Sequence, residues 1–156
     1  MRIVLQRVSH AAVAVDGREV SRIGAGYLLL VGVEDGDDAP VARRMADKVA
    51  ALRLFPGDGG RGFDVAIGDA GGEVLVVSQF TLMADVRRGN RPSWAAAAAP
   101  AVAEPLVEEV AARLAELGLR VSRGVFGAMM EVSLVNDGPV TLVLDSAALK
   151  GPRGGA

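Results

Sequence analysis

The sequence predicts a mixed α/β (α+β) domain, sheet layers covered by two helices, on three observations. Apolar runs of strand length recur along the chain, near 2–8, 11–15, 27–33, 73–79, 119–125, 129–136 and 140–145. Two other segments, 39–53 and a stretch ending at Leu117, carry apolar residues at helical spacing instead. No internal repeat or linker divides the 156 residues, enough for one domain with a real core.

Taken in order, strands 2–8 and 11–15 lead into Asp16-Gly17, a two-residue hairpin turn, and a strand near 18–22. The continuous apolar run 27–33 fits a strand buried on both faces. In the helix 39–53, Asp37 or Asp38 can cap, Pro40 suits the first turn, and Val41, Met45, Val49 and Leu52 form the apolar stripe. Residues 57–62 read as a glycine-rich flexible loop, and Asp69-Ala70-Gly71-Gly72 turns into strand 73–79. The alanines at 95–99 favour helix, with Ser93 as cap and Pro100 as interruption. A longer helix then runs to Leu117, with Pro105 tolerable only in its first turn. Val102, Leu106, Val110, Leu114 and Leu117 make its buried face, and Gly118 stops it. The domain is expected to span 1–146, and 147–156 to be a disordered tail.

Composition excludes several chemistries. The chain has no cysteine and one histidine, His10, so disulfides, thiolate catalysis and a multi-histidine metal site within one subunit are all ruled out. No metal or cofactor is expected. Hydrophobic residues make up 51%, yet no apolar run nears the ~18 residues that span a bilayer, and residues 1–10 lack a signal-peptide pattern. The expected location is the cytoplasm, with no membrane partner. A net charge of −2 gives no global attraction to nucleic acid, so any RNA contact must come from a local patch. Aromatic residues, at 4%, are too few for a stacking platform on single strands.

Two segments carry the chemistry: Ser78-Gln79-Phe80-Thr81-Leu82 and Asn136-Asp137-Gly138-Pro139-Val140-Thr141. Each follows an apolar strand, so each puts hydroxyl, amide or turn residues where a rigid element meets solvent. Alone, the first also fits an ordinary strand end and the second an ordinary turn. Thr81 is a conceivable nucleophile, but no partner base is apparent, and nothing in the sequence brings His10 to Ser78 or Thr81. Arg87, Arg88 and Arg91 form the densest basic cluster, just past Thr81. It reads either as a phosphate-binding patch or as a solvated loop.

Together and in this order, the two segments resemble the signature segments of the D-aminoacyl-tRNA deacylases, the D-tyrosyl-tRNA deacylase family of chiral-proofreading enzymes. The likeness extends to Met1-Arg2-Ile3-Val4-Leu5-Gln6-Arg7-Val8, to 26–32, to Arg88-Gly89-Asn90-Arg91-Pro92-Ser93, to Phe126-Gly127-Ala128 and to 142–146. Three departures concern the lining of the site. Phe63-Asp64 stands where Met-Asn is common, Met129 where an acidic residue or histidine is common, and Trp94 where Phe is usual.

The resemblance implies a β/β/α arrangement with mainly antiparallel sheets, working as a homodimer. It implies hydrolysis of the ester of D-aminoacyl-tRNA, with mischarged glycyl-tRNA also attacked. Ser78, Gln79, Phe80 and Thr81 are then catalytic, with main-chain N–H groups around Gln79, Phe80 and Thr81 binding the oxyanion. The ribose hydroxyl beside the ester activates water, so neither metal nor side-chain base is needed. Gly138 and Pro139 are implied to select chirality from across the subunit interface through a cis peptide bond, although trans is the default for X–Pro from sequence. Arg87, Arg88 and Arg91 would meet the tRNA acceptor end. Gln6 and Arg7 are possible site-lining residues, Thr141 suits a strand, and Phe80 walls the pocket for the terminal adenine or belongs to the core. The rivals are an RNA-binding module without catalysis and a Thr81-dependent hydrolase of another ester or amide.

Overall fold

The computed structural model describes residues 1–149. Strands β1 (Arg2–Val15), β2 (Arg18–Ile23), β3 (Gly26–Gly32), β6 (Glu73–Ser78), β7 (Arg120–Arg123) and β8 (Glu131–Asp145) form one sheet; β4 (Arg53–Phe55) and β5 (Val65–Ala66) form a small hairpin. Helices α1 (Ala39–Ala51) and α2 (Pro100–Glu116) pack on one face of the large sheet. Its order is β2-β1-β3-β6-β7 with β8 along the other edge of β1. The β3–β6 and β6–β7 pairings are parallel and the rest antiparallel, in line with the expected mainly antiparallel class.

The two strands expected at 2–8 and 11–15 are one, β1, because His10 stays paired, opposite Val135 of β8. The register shifts between Val8 and His10. Such a shift reverses which residues face inward. Before it, Ile3 and Leu5 join the core under the helices; beyond it, Ala11 and Val13 join Val8 in a second core with Leu28, Leu75 and Val77. The alternation in β3 and β6 serves both cores: Tyr27, Leu29, Val74 and Val76 face the helices, Leu28, Leu75 and Val77 the far side. The result is a layered β/β/α body.

The strands expected at 129–136 and 140–145 are likewise one strand, β8. Gln6 pairs with Thr141 and Val8 with Asn136, so the four residues 137–140 stand opposite the single residue Arg7. That excess makes Asp137-Gly138-Pro139-Val140 a bulge within β8, with Val140 turned into the helix-side core.

Asp38, not Asp37, caps α1, its carboxylate accepting from the Val41 N–H at 2.9 Å. The buried stripe is Ala42, Met45, Ala46 and Val49, one position off the expected one at Val41. The helix expected at 95–99 does not form. Five alanines ahead of a proline are too short to nucleate alone, and their backbone bonds Val33 and Asp35 instead, Ala98 N–H to Val33 O at 3.0 Å and Asp35 N–H to Ala96 O at 2.9 Å. Pro100 begins α2 rather than interrupting a helix, which puts Pro105 inside α2, beyond the expected first turn. There it withholds the N–H that the Ala101 carbonyl would accept from. The buried face of α2 is Ala103, Leu106, Val110, Ala111 and Leu114, while Val102 and Leu117 are exposed. Leu149, in the expected tail, packs against the helix-side core; the rest of that tail, 150–156, lies outside the described residues.

Candidate active site

The parallel pairing of β6 with β3 delivers Ser78 beside Val31. The chain then leaves the sheet through Gln79 and coils into a 3₁₀ turn, Phe80–Met83. A glycine at 32 makes this possible: a Cβ there would stand 2.9 Å from Leu82 Cβ and 3.0 Å from Gln79 O.

The first residues of a helical turn have no internal acceptor for their N–H groups. Gln79 N–H is nevertheless engaged, donating to Val31 O at 2.8 Å. Among the described residues, the N–H groups of Phe80 and Thr81 have no partner. The expected trio of main-chain donors is therefore a pair, because the last rung of the β3–β6 ladder consumes the third.

Thr81 is exposed, and its hydroxyl accepts from the Gln79 side-chain amide. No histidine or carboxylate bonds Ser78 or Thr81 among the described residues. His10 is exposed on β1 with Ser9 Oγ 3.2 Å from its Nδ1. Half-buried Ser78 opens on a cleft of about 440 Å³, walled by Val76, Ala101, Pro105, Gly124 and Phe126. Phe80 belongs neither to the core nor to this wall: it is 58% exposed, edge-on to Trp94 with ring centroids 5.8 Å apart.

The Gly138–Pro139 peptide bond is cis. Gly138 has φ +142°, and a Cβ on it would meet the Val140 nitrogen at 2.8 Å, so this position requires glycine. Its neighbours fix the loop at both ends. Arg7, only 12% exposed, donates from Nε to Asp137 O at 3.0 Å and pairs with the Asp137 carboxylate at 3.5 Å. Its guanidinium also donates to Leu54 O and lies 5.9 Å from the ring centroids of Phe55 and Phe63. Asn136 Oδ1 accepts from the Val140 N–H at 2.9 Å, while its Nδ2 donates to Thr141 Oγ1 at 2.8 Å. Gln6 Nε2 reaches the same hydroxyl at 3.3 Å, so Thr141 is an acceptor in a network besides a strand residue. A second cleft, about 400 Å³, holds Gly138 and Pro139 with Arg7, Pro56, Arg61 and Phe63.

The two segments are not brought together within the chain. The Ser78 cleft and the Pro139 cleft share no residue. Sequence reasoning missed the bracing roles of Asn136 and Leu54. An asparagine ahead of Asp-Gly-Pro signals side-chain capping of a turn, whereas the Leu54 carbonyl leaves no signal.

The basic cluster divides. Arg87 clasps Asp85 from Nε at 2.9 Å and from a terminal nitrogen at 2.7 Å. The bonds from the Arg87 side chain, then from its N–H, lower the Asp85 pKa to about 2. Arg88 and Arg91 are exposed and form no ion pair among the described residues.

A family model described as D-Tyr-tRNA(Tyr) deacylase matches residues 4–145. A D-aminoacyl-tRNA deacylase of Roseiflexus castenholzii is 57% identical over 153 residues, covering 98% of this chain and 97% of its own. One of Thermomicrobium roseum is 58% identical over 151 residues, 97% of each chain. A solved structure titled c-Myc DNA Unwinding Element Binding Protein superposes with a TM-score of 0.87 at 36% identity, over 93% of this chain and 98% of that one.

Proposed function

The chain belongs to the D-Tyr-tRNA(Tyr) deacylase family, and from that premise we propose how its geometry hydrolyses the ester of D-aminoacyl-tRNA. It is a hydrolase of translation proofreading, and tRNA is its substrate. The observation that carries the catalytic assignment is the pair of free N–H groups on the consecutive residues Phe80 and Thr81, in the turn that follows Ser78. Donors held in place before reaction stabilise a developing oxyanion without reorganising. The cleft takes the terminal adenosine of the tRNA, which sets the ester carbonyl over the turn.

Water adds to the carbonyl carbon, activated by the ribose hydroxyl next to the ester. The carbonyl electrons move onto the oxygen held by the two N–H groups. Collapse expels the ribose oxygen, which takes up a proton, leaving free D-amino acid and tRNA. Thr81 supplies a main-chain donor and not a nucleophile, since among the described residues its hydroxyl meets only the Gln79 amide.

Gly138 and Pro139 act from a second subunit. Their separation from Ser78 within one chain supports this, as does the edge of β8 away from β1, which carries exposed Val135 and Val143 and pairs with no other strand among the described residues. A homodimer that covers this edge brings each Gly138-Pro139 loop to its partner's oxyanion turn. The carbonyls of Gly138 and Pro139 then accept from the substrate ammonium, and the loop occupies the space an L side chain needs. Arg88 and Arg91 meet phosphates of the acceptor end. Among the described residues no helix is long and apolar enough to cross a membrane, and the cytoplasm, where aminoacyl-tRNA is made and used, is the proposed location.

The test is direct. D-tyrosyl-tRNA and L-tyrosyl-tRNA are each incubated with the protein, and the ester remaining is measured. Loss of the D ester alone supports the reading; survival of both esters overturns it.

A further inference from the structure

Phe63 is 59% exposed, an unusual place for a phenylalanine in a structured loop. The loop before it carries glycines at 57, 59, 60 and 62, two of them at positive φ, Gly60 at +67° and Gly62 at +87°. It closes on Asp64, whose N–H donates to Phe55 O at 2.9 Å. The closure holds the Phe63 ring outward beside Arg7, with the guanidinium carbon 5.9 Å from the ring centroid. The same guanidinium carbon lies 5.9 Å from the Phe55 ring centroid, and its Nε is held by Asp137 O. Phe63 therefore lines the same cleft as the Gly138-Pro139 loop.

We propose that Phe63 is a specificity-determining residue: its ring is the apolar surface that the side chain of the D-aminoacyl ester meets. This rests on the reading of Gly138-Pro139 as the chirality-selecting loop. A substrate whose ammonium is held at that loop has its β-carbon turned away from it. The cleft offers the side chain Pro56, Phe63 and the stem of Arg61. Of these Phe63 is the one aromatic ring. An aromatic pair contributes about 0.5–1.5 kcal/mol beyond area burial, and 1.4 kcal/mol is tenfold, so the contact is visible as a severalfold bias. Small side chains such as that of D-alanine do not reach the ring.

The test measures kcat/KM of the intact protein and of Phe63→Ala and Phe63→Leu on D-tyrosyl- and D-alanyl esters of one tRNA body. The readout is the ratio of the two values, which a general loss of folding or of loop geometry does not move. The ratio should fall about fivefold in Phe63→Ala and by less in Phe63→Leu, with the sedimentation behaviour of the parent protein kept. An unchanged ratio overturns the inference, whether both activities hold or both fall. So does a changed association state, which would make Phe63 an interface residue. Absence of D-ester hydrolysis by the unsubstituted protein would instead overturn the functional reading beneath it.

Discussion

Arg7 Nε donates to the main-chain oxygen of Asp137 at 3.0 Å, tying the start of β1 to the loop that bulges from β8. One residue thereby braces four, since residues 137–140 have only Arg7 opposite them. The loop is held at its far end by Asn136, through the Val140 N–H. Rigidity is what an excluding wall needs, and here it comes from side chains bonded to the main chain.

Removing that brace should be costly. Arg7→Ala is expected to lower kcat/KM on a D-aminoacyl ester by about tenfold, because hydrogen bonds to charged groups contribute about 1.5–3 kcal/mol. Arg7→Lys should restore part of this, as lysine keeps the charge but lacks the fork that serves Asp137 and Leu54 together. Steady-state kinetics on D-tyrosyl-tRNA decide it. Parent-like activity in Arg7→Ala would show that the loop needs no clamp.

Thr81→Ala should retain measurable hydrolysis, because the substitution keeps the residue 81 N–H and removes only a hydroxyl bonded to Gln79. No acyl-enzyme should accumulate when the reaction is quenched and the protein mass measured. An acyl group trapped on Thr81 in the parent protein, or complete loss of turnover with binding intact, would restore a nucleophile mechanism.

How much of this is legible in the sequence depends on whether each feature is local. Turn chemistry at Asp16-Gly17, the cap at Asp38 and the stop at Gly118 all take their expected places, since each depends on neighbours a few residues away. The alanines at 95–99 mislead because their partners, Val33 and Asp35, lie some sixty residues earlier in the chain. The continuity of β1 and β8 is hidden for the same reason: each strand holds the other through its irregular part. In the site, the sequence marks both segments but not that Gln79 N–H is consumed by Val31 O. It also marks three arginines as one cluster, whereas Asp85 removes Arg87 from it.

That division predicts unequal effects on tRNA binding. Arg88→Ala with Arg91→Ala should weaken binding and flatten its salt dependence, by roughly 0.7 in the log–log slope for each single-strand phosphate left without its arginine. Arg87→Ala should change the slope less, its charge being already matched by Asp85. Binding measured across a salt series settles the point. Equal slopes in all variants would mean that the loop does not touch phosphate.

Activity should survive exhaustive chelation. One histidine and no cysteine give poor material for a transition-metal site, and the mechanism draws its proton transfer from the substrate. Turnover before and after chelation is compared on tRNA refolded identically. Loss that zinc or magnesium restores would contradict the mechanism.

The most direct test of chirality by exclusion uses three esters on one tRNA body: D-alanyl, L-alanyl and glycyl. A wall that rejects the L side chain at its β-carbon has nothing to reject in glycine. A preference of about a thousandfold for D-alanyl over L-alanyl corresponds to roughly 4 kcal/mol, within reach of a backbone that does not yield. Initial rates of deacylation should therefore be high for D-alanyl, appreciable for glycyl and near background for L-alanyl. Glycyl-tRNA as inert as L-alanyl-tRNA would contradict exclusion, and L-alanyl falling as fast as D-alanyl would contradict chiral proofreading itself.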